Sequence, residues 1–213
     1  SLDFDRRIAI YYRYRMGIGS ITVKHLTQLG LIMKTTENTF EYHLKKVFEI
    51  AEEMGVSDPL DKSKYREVIT AEKLGHNLFF GASGGKHNDE TYGADATDSD
   101  GTKVEYKSCK VTKSHYEKFL KGELNKKYSM IYNGAYSREN IDRYSNIRHV
   151  LTLFYNEKLL MSIEVPTDHV LKSLHEVLDA KNARREKGES VTTNCNSVTV
   201  TFRDSKPTIG KVL

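Results

Sequence analysis

Between Tyr92 and Ser108 the chain reads YGADATDSDGTKVEYKS, and this stretch narrows the accessible folds more than any other. Val104 and Tyr106 alternate with Glu105 and Lys107, the period of a half-buried strand, and Asp100-Gly101 is a strong hairpin signal just ahead of them. If the loop is the three-residue kind, Ser99-Asp100-Gly101, Gly101 takes the left-handed position and Asp98 pairs with Thr102. Counting back along the ladder then sets Asp95 opposite Glu105. Opposed residues, and residues two apart on one strand, share a face. Asp95, Glu105 and Lys107 therefore stand on one side, and Ala94, Ala96, Val104 and Tyr106 on the other. A two-residue Asp100-Gly101 turn instead sends Asp95 to the wrong face.

Two carboxylates and an ammonium on one sheet face suit a metal better than a core. Mg²⁺ takes hard oxygen ligands, commonly one or two carboxylates completed by water and substrate phosphate. A lysine two residues beyond such a ligand can position or polarise the attacking water. A solvated surface hairpin is the plain alternative for an isolated E-x-K.

Asp95, with nine residues between it and Glu105-Tyr106-Lys107, resembles the PD-(D/E)xK nuclease superfamily, best known from type II restriction endonucleases. Ala94 stands where that pattern commonly has proline. The resemblance implies Mg²⁺ held by Asp95, Glu105 and the backbone carbonyl of Tyr106, with Lys107 acting on the water. It also implies a further acid on the helix before the core strands. Tyr65, Val68 and Ile69 mark that helix over about 61–74, and continuing their stripe reaches Glu72. The stripe makes Glu72 the expected fourth site residue unless the helix is already ending there. Glu90, in the Gly-rich stretch Gly81–Thr91, is the alternative.

The remaining patterns place this hairpin within 213 residues. Residues 1–57 read as helical, with a stripe of Phe40, Leu44, Val47, Phe48, Ala51 and Met54 on the longest helix. A short helix over Ile21–Leu29, Gly30, and that longer helix with Thr35, Asn38, Thr39, Tyr42 and His43 outward resemble a helix-turn-helix or an ordinary bracing hairpin. Gly55–Ser63 is the expected boundary, and 58–213 the expected nuclease core. Within that core the reading has a helix from about Lys113 carrying Tyr116, Phe119 and Leu120 inward, a strand over Tyr128–Tyr136, and a helical turn over Ser137–Tyr144. Ile147–Tyr155 is apolar on both faces, as in a central strand. Leu159–Val165 is a further strand, and Thr167 or Asp168 caps a helix that runs into a solvated KNARREKGE end. A last strand follows with Val198, Val200 and Phe202 inward. The expected fold class is α/β (α+β), a restriction-endonuclease-like core with a mixed central sheet flanked by helices in αβββαβ order, behind a small helical region.

Charge and cysteine usage bound the partners. The net charge is +4, and eight lysines against three glutamates lie between Lys103 and Lys127. Such a run just after a metal site is where a phosphate backbone would lie. Lys110 and Lys113 are expected to meet phosphates, and Arg138, Asn140, Arg143 and Arg148 to reach bases by residue type. Cys109 and Cys195 read as two free thiols in a reducing cytoplasm. No apolar run approaches a membrane span, and no signal peptide is read at the start. No serine-nucleophile elbow and no His/Cys zinc spacing occurs. The expected activity is Mg²⁺-dependent cleavage of double-stranded DNA by a type II restriction enzyme, as a homodimer if its target is palindromic. A cognate methyltransferase is expected in the same system without being a physical partner. A structure-specific repair nuclease and a non-catalytic helix-turn-helix regulator are the alternatives.

Overall fold

The computed structural model describes residues 40–56, 58–79, 93–191 and 195–213. The chain divides into two units, Ser1–Glu53 and Met54–Leu213. In the first, α1 (Phe40–Glu53) turns Leu44, Phe48 and Ala51 to its less exposed side, while Val47 stands exposed instead of joining that stripe. The first helix of the helix-turn-helix reading, and Thr35, Asn38 and Thr39 of its second, lie outside the described residues.

The second unit is mixed α/β. A six-stranded sheet has the order β1 (Asn77–Leu78), β2 (Ala96–Thr97), β3 (Lys103–Lys110), β5 (Ile147–Tyr155), β6 (Lys158–Val165), β9 (Lys211–Val212). The β3–β5 pair is parallel and the others antiparallel, so the sheet is mixed. β4 (Lys126–Asn133) leaves this sheet and joins β7 (Cys195–Arg203) and β8 (Lys206–Pro207) in a separate three-stranded antiparallel sheet. The strand beside β3 is therefore β5, and β4, the next strand in sequence, lies in the other sheet.

β5 is the centre. Val150, Leu151, Leu153 and Phe154 are all fully buried, so both faces of the strand are covered, as its unbroken apolar run requires. On one face lies α2 (Lys62–Leu74), whose Ala71 packs with Ala96, Val104, Tyr106 and Val150. Small residues at Thr70 and Ala71 let the helix approach closely, and Asp61 caps its first turn by accepting from the Ser63 N–H. Arg66 reaches from α2 to the β5–β6 turn and grips Glu157 through both Nε (2.9 Å) and Nη2 (2.8 Å). Asn156 and Glu157 both have positive φ, the signature of a two-residue type I′ hairpin. The ion pair thus holds a turn that would otherwise be under strain.

On the other face sits the main core. α5 (Thr167–Glu186) lays Val170, Leu174 and Leu178 against Val198, Val200 and Phe202 of β7 and the inner residues of β4, Met130 and Tyr132. Each such large apolar side chain, once buried, contributes about 1.5–3 kcal/mol. Ala94 joins this cluster and not the one holding Ala96. α5 is longer than expected, since the NARRE run is helical through Glu186. Its N-cap position is Pro166 without a side-chain cap, and the Thr167 hydroxyl instead donates to the Ile147 carbonyl (2.9 Å), tying the helix start to β5. α3 (Lys113–Leu120) and α4 (Arg138–Asp142) are short connectors. None of the described helices is long and apolar enough to cross a membrane.

Candidate active site

The β2–β3 hairpin closes through the three-residue loop Ser99-Asp100-Gly101. Asp98 N–H donates to Thr102 (2.9 Å), Gly101 N–H donates back to Asp98 (3.1 Å), and Gly101 has φ +79°. The register Ala96↔Val104, Thr97↔Lys103 follows; the paired ladder ends at Ala96, and Asp95 just beyond it places its carboxylate close enough to Glu105 to act on its charge. Asp95 is anchored on both sides, its N–H donating to Val104 and its carbonyl accepting from Phe79, each at 2.9 Å. Gly93 makes room for this entry. At φ +70° its missing Cβ would stand 2.6 Å from Cε1 of Tyr144, which no side chain tolerates.

β2 stops at Ala96, which leaves the edge of β3 open beside Tyr106. The Asp95 carboxylate fills that gap by accepting from the Tyr106 N–H (2.8 Å). A strand residue's N–H and C=O leave on the same edge, so the Tyr106 carbonyl also points toward Asp95. Glu105 is 6% exposed and forms an ion pair with the Lys107 ammonium two residues along the same face. Burial first, and the Asp95 charge second, push the Glu105 carboxyl well above its usual range, and Lys107 only partly offsets them.

Glu72 does not take part, because it lies on the exposed side of α2. The carboxylate that α2 turns to this cluster is Glu67. Its pKa is pushed up to about 7 by burial and by Asp95, against the pull of Lys64 and Lys107. Lys64 pairs with it at 3.0 Å. The sequence stripe of Tyr65, Val68 and Ile69 consists of half-buried flanks, while Arg66, Thr70 and Ala71 are the buried positions. A carboxylate one residue from a buried arginine and one turn before a small-residue pair was the available signal for Glu67. Glu90, the other expected acid, lies outside the described residues.

Behind Lys107 stands a fixed aromatic support. Its ammonium lies 5.0 Å from the ring centroid of Tyr132, a cation–π contact. The Tyr132 hydroxyl donates to His149 Nδ1 (3.0 Å), and His149 Nε2–H donates to the Tyr144 carbonyl (3.3 Å). His149 is directly paired with Glu105 across the β3–β5 ladder. Burial holds its pKa down to about 4, so it is a neutral hydrogen-bond relay under the site.

These groups open into a cleft of about 680 Å³. Glu67 and Ser63 of α2 form one wall, Asp95, Glu105 and Lys107 the floor, and Lys127, Ser129 and Asn133 of β4 the opposite wall. Lys110 also lines it, whereas Lys113 is exposed at the start of α3 and does not. Three of the expected base readers serve other ends. Arg138 pairs with Asp179 (2.6 Å), and Arg143 lies 3.4 Å from Glu139. Arg148 is held between Asp98 (2.5 Å) and Glu164 (2.7 and 2.9 Å). Asn140 is half-buried on α4, its backbone N–H donating to Ser137 Oγ. Arginine fits guanine by type, but carboxylates distant in sequence claim Arg138 and Arg148.

Among the described residues no three carboxylate, imidazole or thiol side chains form a ready-made metal cage. The donor set still fits Mg²⁺, which needs only one or two carboxylates beside water and phosphate. Three carboxyls, Asp95, Glu105 and Glu67, share the two ammonium groups of Lys107 and Lys64 and are short of positive charge. No protein family model and no curated protein matches the chain.

Proposed function

We propose that this chain is a Mg²⁺-dependent endonuclease acting on double-stranded DNA, of the type II restriction class. One observation carries the reading. A hairpin sets Asp95 against a buried Glu105, pairs Glu105 with Lys107, and opens this cluster into a cleft that also has lysines on it. Perturbed carboxylates gathered in a cleft mark a working site more often than a structural one. The resemblance of Asp95 and Glu105-Tyr106-Lys107 to the PD-(D/E)xK pattern supports the same chemistry.

In this reading Asp95, Glu105 and the Tyr106 carbonyl would hold Mg²⁺. When bound, the ion would polarise the scissile phosphate and stabilise charge on the departing 3′ oxygen. The chain's own residues do the rest. Lys107, seated on the Tyr132 ring, presents an N–H to the attacking water and orients it in line with the phosphorus. Glu67, with its pKa near 7, lies across the cleft, where it can take the proton that the water gives up. Lys110 and Lys127 meet neighbouring phosphates and fix the strand's path.

The test is digestion of a plasmid of known sequence with Mg²⁺, Ca²⁺ or EDTA, using wild type and Lys107→Ala. Discrete fragments that need Mg²⁺ and disappear in the variant are expected. A folded wild type that leaves both linear and branched DNA intact overturns the proposal. Cutting only at branches or mismatches would move it to a structure-specific nuclease.

A further inference from the structure

The β4–β7 ribbon has two different faces. Its inner face, with Tyr128, Met130, Tyr132, Val198, Val200 and Phe202, is core. Its outer face pairs Lys127 with Thr201, Ser129 with Thr199 and Ile131 with Ser197, then continues to Asn133 at one end and Arg203 beside Lys206 at the other. The described outward positions hold three cations, Lys127, Arg203 and Lys206, and no carboxylate. Asp204, in the turn after Arg203, accepts from the Asn125 side chain (3.4 Å). A chain with 33 basic and 29 acidic residues would normally mix both signs over such a surface. Ile131 is 52% exposed at its middle, ringed by hydroxyls.

From this geometry we infer that the outer face of the β4–β7 ribbon is the surface that enters the major groove of a DNA duplex and reads its bases. The inference rests on the proposed nuclease function for its substrate class. Three observations carry it. The face is continuous with the candidate site, because Lys127, Ser129, Ile131 and Asn133 line the same cleft as Asp95, Glu105 and Lys107. Its charge is complementary to phosphate. Its chemistry matches groove edges: an amide for adenine, hydroxyls that serve either base type, and an apolar branched side chain for the thymine methyl. Two strands about 4.8 Å apart fit a groove about 12 Å wide. All three cations sit toward the end of the ribbon that holds Arg203 and Lys206, where they meet one phosphate backbone while Ser129, Ile131 and Asn133 face the bases.

The experiment uses the full chain. Plasmid cleavage in Mg²⁺ is compared with anisotropy of a labelled mixed-sequence duplex in Ca²⁺, across a salt series. Variants are Asn133→Ala, the triple Lys127→Ala/Arg203→Ala/Lys206→Ala, Lys107→Ala, and Lys172→Ala on the far helix as a control. All the ribbon positions are exposed, and matched melting temperatures confirm that the variants fold. The triple variant is expected to bind at least tenfold more weakly, with the slope of log K against log salt shallower by about 0.9 for each cation lost. Asn133→Ala is expected to cut related sites with preference at one base pair relaxed about tenfold. Lys172→Ala changes neither. Unchanged sites and unchanged affinity in the ribbon variants, with Lys107→Ala inactive, leave the nuclease standing and overturn this surface. If wild type cuts nothing, binding alone decides. Duplex binding that the triple variant loses supports the surface, and binding that is absent or unaltered overturns it. Dissociation of a dimer by the triple variant, with DNA affinity intact, also overturns it, since the face would then belong to a second copy.

Discussion

One hairpin carries two ionic clusters, and they have opposite characters. Near its turn, Asp98 accepts from the backbone N–H groups of Asp100 (3.0 Å) and Thr102 (2.9 Å) and from Arg148, which also holds Glu164 in a two-pronged grip. Hydrogen bonds from Arg148 hold the carboxyls of both Asp98 and Glu164 below their usual range. Three residues before Asp98, at the open edge, Asp95, Glu105 and Glu67 share Lys107 and Lys64, and burial with mutual repulsion raises Glu105 and Glu67. The first cluster is complete within the chain and fastens β3 and β5 to β6. The second lacks positive charge and faces a cleft. A bidentate arginine stabilises its carboxylates, whereas three acids that share two lysines keep Glu105 and Glu67 raised.

The largest contrast is expected in activity. Lys107→Ala should lower cleavage by about 10²–10³-fold, the usual cost of losing a preorganised charged donor, with the melting temperature little changed. Arg148→Met should do the reverse. It leaves Asp98, 6% exposed, as an unpaired buried charge. The expected loss is about 2–3 kcal/mol, the low end for a broken buried pair because Arg148 itself is partly exposed. Denaturant unfolding measures it. If Arg148→Met is as stable as wild type, the turn-end cluster is not the fastener described here.

A smaller effect of opposite sign belongs to the open end. Glu105→Gln keeps the shape and removes a buried charge, so metal-free protein should gain about 1–2 kcal/mol while cleavage is lost. Adding Mg²⁺ or Ca²⁺ should raise the melting temperature of wild type and of Arg148→Met, and not that of Glu105→Gln. A melting temperature of Glu105→Gln that still climbs with either ion would place the cation elsewhere.

How far these contrasts could be read from sequence depends on the range of the contact. Asp95, Glu105 and Lys107 were legible because a hairpin is local. Asp100-Gly101 and the alternation at Val104 and Tyr106 constrain the register within a dozen residues, leaving only the loop length open. Ile147–Tyr155 was legible as a central strand from its unbroken apolar run, and the wet face of the last strand from its Ser/Thr alternation. Glu67 was missed because Tyr65, Val68 and Ile69 outweigh Thr70 and Ala71 in any apolar stripe, yet close helix–sheet approach needs the small residues inward. The removal of β4 to a second sheet was invisible, since pairing with β7 is a contact across some 70 residues. Arg148 was misplaced for the same reason: only the fold brings Asp98 and Glu164 to it.

The finest test of the comparison is the dependence of stability on pH, where the two clusters should act in opposite directions. For Asp98 and Glu164 the folded pKa is depressed, so their contribution is present above the ordinary carboxylate pKa and disappears as pH falls through the folded value. For Glu67 the folded pKa is raised from 4.5 to about 7. Its contribution is fully present below 4.5, where the group is neutral in both states, and is lost as pH rises toward 7. Wild type without metal should therefore lose stability on acidification, and again between pH 4.5 and 7 by about 1–2 kcal/mol, reduced from the full shift by partial exposure and by Lys64. Glu67→Gln should shrink the second loss to the part that the raised Glu105 carboxyl contributes, and leave the first. Arg148→Met should flatten the first and leave the second. Chemical denaturation of the three proteins across pH 3–8 measures both limbs, and a Glu67→Gln profile identical to wild type above pH 4.5 would mean that Glu67 is an ordinary solvated carboxylate. Mg²⁺ sharpens the result: a cation in the cleft lowers the cost of ionising the cluster, so its addition should shrink the loss between pH 4.5 and 7 in wild type and leave the acid limb where it is.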